Sequence, residues 1–183
     1  MQKKIHIGKI YETLTKRCHY DLDVAIAVNN ELFADNLTAS DFLKKNQRIV
    51  SSCHLGCCLN FSLCLMSMLK ENGIHTRMVT TPEHGGKKVS VAYKEKEGDE
   101  WYIADIVEDI KFFTNLESEY AKENHTSPKY MHDLRQKHPE ALRNHLSISL
   151  DEFKSQNEYV EMYADIFEFS GTMSEFLQTA YMI

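Results

Sequence analysis

Between Cys58 and Lys70 the chain reads Leu59-Asn60-Phe61-Ser62-Leu63-Cys64-Leu65-Met66-Ser67-Met68-Leu69, with apolar residues on nearly every side of a helical wheel. A helix that is apolar all round belongs inside a domain, so this segment is predicted to run through the middle of the fold. It stops at Glu71-Asn72-Gly73, where Gly73 can take the left-handed conformation that closes a last turn. The apolar period then changes from about 3.6 to about 2. Residues 76–81 read as a strand and Pro82-Glu83-His84-Gly85-Gly86 as a loop. Val89, Val91 and Tyr93 alternate with Ser90 and Ala92, the mark of a strand with two distinct faces. Residues 101–106 read as the next strand, hairpinned onto the previous one near Glu97-Gly98, with Asp105 expected opposite Val89 or Lys88.

Upstream, Ile10, Leu14 and Cys18 and then Leu22, Val24, Ala25, Ala27 and Val28 predict helix in pieces over 9–33. Thr38 to Asp41 offers caps for a further helix carrying Phe42 and Leu43. After Glu108 the pattern turns helical again and ends in two amphipathic stretches, 159–169 and 173–181. Helices, a buried helix, a small antiparallel sheet and more helices make an α+β fold. A chain of 183 residues with 7 Gly, 3 Pro and no repeat is expected to form a single domain over 1–183, its core at about 35–108 and a helical extension at 109–183.

Charge narrows the partners. Residues 1–106 carry 14 basic and 13 acidic side chains and residues 107–183 carry 7 and 14, giving the −6 of the whole chain. That balance argues against a nucleic-acid binder. Nothing has the length and apolarity of a membrane span, and the start lacks a signal-type apolar run. The expected location is the cytoplasm. The apolar stripe of Tyr159, Met162, Tyr163, Ile166 and Phe167 must pack on the sheet or on a protein partner. The histidines His6, His19, His125, His132, His138 and His145 sit among polar residues and read as solvated.

The five cysteines are Cys18, Cys53, Cys57, Cys58 and Cys64, four of them within twelve residues. An odd, clustered set does not read as a disulfide framework. It leaves packing, metal binding or nucleophilic catalysis. Cys64 falls inside the apolar helix and reads as packing. Cys53-His54-x-x-Cys57-Cys58 would need His75 and His84 to complete a zinc site, and no metal or other cofactor is expected. Cys58 opens the buried helix, where unpaired N–H groups favour a thiolate. Gly56 would let the backbone approach a substrate.

The run Gly56-Cys57-Cys58-Leu59-Asn60-Phe61, the Leu69-Lys70-Glu71-Asn72-Gly73-Ile74 ending and the later Trp101-Tyr102-Ile103-Ala104-Asp105 resemble the core of the transglutaminase-like, papain-related cysteine enzymes. The resemblance implies a papain/transglutaminase-like core and a Cys58, His84, Asp105 triad, with Gly56, Cys57 and Trp101 beside the substrate. It implies acyl transfer on an amide: peptidase, amidase or transglutaminase-type chemistry on a peptide, a protein or a small molecule. One position departs from the pattern. The strand that the family opens with its histidine begins here with Lys88, and His84 lies four residues earlier. A lysine, with an ordinary pKa of about 10.4, is a poor general base. The alternative reading is therefore an inactive scaffold that binds a peptide or protein.

Overall fold

The computed structural model describes residues 7–32, 36–83, 86–124, 135 and 137–183. The apolar helix is α4, Cys58–Glu71, preceded by α1 (Ile7–Thr15), β1 (His19–Tyr20), α2 (Leu22–Leu32), α3 (Ala39–Cys53) and β2 (Leu55–Gly56). Phe61, Leu63, Leu65, Met66 and Leu69 of α4 are fully buried, as an all-round apolar helix requires. Gly73 closes it with φ 77°, and the Ile74 N–H returns to the Leu69 carbonyl at 3.1 Å. Thr38 caps α3 by accepting the Asp41 N–H at 3.1 Å. At the other end of α3, His54 takes φ 56° and turns the chain back toward the sheet.

The strands are β3 (His75–Glu83), β4 (Gly86–Lys94) and β5 (Tyr102–Ala104), all antiparallel, and Pro82, Glu83 and Gly86, expected in a loop, extend the β3–β4 ladder instead. Their alternation sorts two faces. Met78, Val89, Val91, Tyr93 and Ala104 pack toward α4, while Val79, Ala92 and Ile103 pack with Phe153, Val160 and Met162 on the reverse side. Val91 pairs with Ala104, so continuing the ladder sets Asp105 opposite Ser90, not Val89 or Lys88 as expected. Ile106 begins α5 (Ile106–Asn124) and does not extend the strand. Buried Arg135 ties α5 to the end of α1, its Nε donating to Glu117 Oε1 at 2.7 Å and its Nη1 to the carbonyls of Thr15 at 2.6 Å and Cys18 at 2.8 Å.

The C-terminal third departs from the helical expectation. A 3₁₀ turn (Pro139–Arg143) leads to β6 (Ile148–Ser149), α6 (Leu150–Ser155), β7 (Glu161–Met162), α7 (Met173–Leu177) and β8 (Tyr181–Met182). Residues 159–169 are a short strand and turns, not a helix. Tyr159, Met162, Tyr163, Ile166 and Phe167 have helical spacing, but β3 offers an unpaired edge, and β7 takes it through Val79↔Met162 and Thr80↔Glu161. Asp165 then caps the turn on the Phe167 N–H at 3.0 Å and pairs with Lys70 at 2.8 Å and Arg77 at 3.1 Å. Tertiary pairing outweighs local propensity here. Met162, Tyr163 and Ile166 are buried within the chain itself. The six-stranded sheet runs β6-β5-β4-β3-β7-β8.

Candidate active site

The site forms where α4 starts. The parallel pair β1–β2 sets Tyr20 beside Gly56, and the Asp21 N–H donates to the Gly56 carbonyl at 2.9 Å. Gly56 is obligatory for packing. A Cβ there would meet the Asn60 Cβ at 2.9 Å and the Phe61 ring at 3.0 Å. Cys57 is the N-cap of α4, with extended φ −115° and ψ −175°. Asn60 fixes this corner. Its Oδ1 accepts the Cys57 N–H at 2.9 Å, its Nδ2 donates to Asn46 Oδ1 at 2.7 Å, and its carbonyl accepts from Asn46 Nδ2 at 3.1 Å. Asn46 and Asn60 are both buried.

β4 runs on beyond its pairing with β5, and α4 uses the freed edge. Ser62 Oγ donates to the Val89 carbonyl at 3.1 Å, and the Val89 N–H faces the Cys58 sulfur. Both groups of one strand residue point the same way, so the first turns of α4 sit against the Lys88–Val89 peptide. The thiols differ sharply. A hydrogen bond from the Cys58 thiol, helped by the N–H groups of Asn60 and Leu59, lowers Cys57 to about 6 against the opposing effect of burial. Cys58 is raised, because its proton is the one donated to Cys57 and because burial disfavours its charge. Cys57 is 5 % exposed, while Cys58 is half-buried. Burial pushes Cys18 up to about 12 and Cys64 up to about 11, which leaves both inert.

Lys88 is the strand residue at which the resemblance led one to expect a histidine. Its Nζ lies 2.7 Å from Asp105 Oδ2 and 3.5 Å from Glu108 Oε1. Burial alone would lower the lysine pKa, but the Asp105 and Glu108 carboxylates outweigh it and hold Lys88 above its ordinary value. It is an ammonium at any physiological pH. Burial raises the Asp105 carboxyl, with Lys88 opposing. Asp105 Oδ1 is buried and has no hydrogen-bond partner among the described residues. His84 lies outside the described residues, as do His6, His125 and His132. Trp101 is not brought to the sulfurs. It packs on the reverse face of the sheet with the Phe153 cluster, and Lys94 Nζ sits 4.9 Å from its ring centroid.

Several neighbours were hidden in the sequence. Tyr20, raised mainly by burial and next by Cys58, walls the site together with Lys111 and Glu83. Lys111 Nζ lies 5.0 Å from the Tyr20 ring centroid and 3.0 Å from Glu83 Oε1. His145 is not a free surface imidazole. Its Nδ1 lies 2.7 Å from Oδ1 of fully buried Asp109, whose Oδ2 accepts the Tyr11 hydroxyl at 2.6 Å and the His145 N–H at 3.1 Å. The His145 carbonyl accepts the Asp105 N–H at 2.9 Å, so this cluster holds Asp105 from behind. His19 pairs with Glu117 at 2.9 Å. These partners are dozens of residues apart, and no short motif encodes them.

Among the described residues, no group of three or more His, Cys, Asp and Glu side chains is placed to hold a metal ion. A cavity of about 1450 Å³ lies at the opposite end of α4, lined by Lys70, Ile74, Tyr93, Tyr102, Arg143 and Ser147, and contains none of the cysteines. No described helix is long and apolar enough to cross a membrane.

The fold is α+β, with a buried helix that Cys58 opens packed on a small antiparallel sheet. The sequence model of the transglutaminase-like superfamily matches residues 5–115, and the chain belongs to that superfamily. The match takes in α1 and α2, beyond the 35–108 read from the motifs. No curated protein and no solved structure gives a match.

Proposed function

We propose that this chain carries out cysteine-dependent acyl transfer on an amide, with Cys58 as the nucleophile. The observation that carries the reading is the position of half-buried Cys58 as the first residue of the buried helix α4 in a chain of the transglutaminase-like superfamily. Cys58 attacks the carbonyl of a peptide, protein or small amide, and its own backbone N–H lies at the helix start where an oxyanion would form. The thioester is then resolved by water or by an amine. The triad implied by the resemblance, Cys58, His84 and Asp105, is one form of this reading. Asp105 Oδ1 is the oxygen left for an imidazole, since Oδ2 is held by Lys88. Release of nitrophenol from a p-nitrophenyl ester tests the reading. Wild type should turn over repeatedly and Cys58→Ala should not. Equal rates in both proteins would overturn it.

The Lys88–Asp105 pair favours a second reading. With the carboxylate committed to an ammonium, the cleft would bind a peptide or protein without turning it over. Under that reading wild type and Cys58→Ala give the same ester rate as buffer.

A further inference from the structure

An amine and a carboxyl held in contact inside a fold have a chemistry beyond ion pairing. Lys88 Nζ touches Asp105 Oδ2 at 2.7 Å, both side chains are largely buried, and a second carboxylate oxygen, Glu108 Oε1, stands 3.5 Å from the same nitrogen. We propose that Lys88 and Asp105 condense into a side-chain amide, a covalent cross-link between β4 and the end of β5, with Glu108 carrying the proton. The cross-link forms without Cys58 and goes beyond the acyl transfer assigned above.

The backbone fixes all three groups. Lys88 sits in β4, paired with Thr81 of β3. Asp105 directly follows β5, the neighbour of β4, and its N–H is held by the His145 carbonyl at 2.9 Å. The Asp105 carbonyl accepts the Glu108 N–H at 3.2 Å, and this first turn of α5 brings Glu108 round to the lysine. Groups ordered in this way react as if at effective concentrations of about 10⁵–10⁸ M. Burial also favours the product. Two ions in a desolvated place are costly, and a neutral amide removes both charges.

The neighbouring carboxylates keep Lys88 an ammonium at rest. The reaction starts when one proton moves across the 2.7 Å contact from Nζ to Oδ2, leaving an amine and a carboxylic acid. The nitrogen lone pair then bonds to Asp105 Cγ, and the carbonyl π pair moves onto Oδ1. Nitrogen gives a proton to the Glu108 carboxylate, which passes it to the hydroxyl at Oδ2. The C–O bond breaks with its pair on oxygen, water leaves, and the Oδ1 pair restores the carbonyl. An ammonium and a carboxylate have become one amide and one water, and Glu108 is unchanged. The amide oxygen remains a hydrogen-bond acceptor. Residues 88–105 become a closed ring, which restricts the unfolded chain.

Intact mass under denaturing conditions, followed over three days at 37 °C and pH 8, tests this. Wild type should come to weigh one water less than its sequence. Trypsin should release residues 88–94 joined to residues 97–111, and fragmentation should place the bond on Asp105. Lys88→Arg keeps the cation but not the primary amine, and should retain its full mass. Glu108→Gln should slow the loss of water at least tenfold. Cys58→Ala should lose water at the wild-type rate, which separates this reaction from acyl transfer through the thiol. A wild-type mass that stays at the sequence value overturns the proposal, even in a protein that hydrolyses esters. So does a bond that maps to Glu108 or elsewhere, a loss of water that persists in Lys88→Arg, an unchanged rate in Glu108→Gln, or a cross-link that disappears in Cys58→Ala.

Discussion

Lys88 Nζ lies 2.7 Å from Asp105 Oδ2, in a pocket where the lysine side chain is 18 % exposed and the aspartate 3 %. Burial raises the Asp105 carboxyl, and the ammonium opposes that rise. Removing one member of a buried pair costs about 3–5 kcal/mol, because the other charge is left uncompensated. Lys88→Ala should therefore lose about 3 kcal/mol in urea unfolding. Lys88→Ala,Asp105→Ala should recover part of that loss. Lys88→His puts an imidazole beside the carboxylate, and its ester hydrolysis should exceed wild type at least tenfold. An unchanged rate would mean that Lys88 is not what limits the reaction.

The buried amide pair Asn46–Asn60 governs the start of α4. Asn60→Ala leaves the Cys57 N–H and the Asn46 side chain unpaired in the interior. Each orphaned group costs about 1–3 kcal/mol. The variant should unfold about 2–4 kcal/mol more easily in urea.

Arg135 is 1 % exposed and carries the charge that balances Glu117. Arg135→Ala strands that carboxylate and frees the carbonyls of Thr15 and Cys18. A loss of about 3–5 kcal/mol is expected. Thermal unfolding should show it as a fall in midpoint of many degrees. Arg135→Lys retains the charge but not the fork that reaches three acceptors, and should fall between the two.

His145 sets a pH dependence. Its hydrogen bond to Asp109 raises its pKa above the usual 6.5, burial opposes, and Asp109, Asp105 and Glu108 add to the rise. The folded value lies above the unfolded one, so the folded state binds the proton more tightly. The stabilisation is complete below the unfolded value and is lost as pH rises through the folded one. Wild type minus His145→Gln stability, measured by thermal melts, should shrink between pH 6 and 9. A difference that grows over that range would mean the imidazole is held neutral.

The buried helix, its glycine stop and the alternating strands were legible because each is a local pattern that packing reinforces. Thr38 was readable as a cap for the same reason. The helix expected over 159–169 failed because its apolar spacing fits two structures, and the open edge of β3 chose between them. The place of Cys57 and Cys58 at the start of α4 could be read from the sequence, whereas the Lys88–Asp105 ion pair could not. Trp101, expected beside the substrate, directly precedes β5 and packs with Ile103 on the reverse face of the sheet, a face that one-residue alternation decides. Tyr20, Lys111 and His145 come to the site through pairings between distant segments, which no short pattern records.

The order of strands carries a consequence for how the chain is made. β3, β4 and β5 are contributed by residues 75–104, but the strands that flank them come only after residue 147. On the ribosome the central ladder emerges with both of its borders bare, and bare borders invite pairing with another chain. The segments that carry β6, β7 and β8 thus act as late-arriving guards. The interval between the two events is when a nascent molecule most needs a chaperone or a slow neighbour.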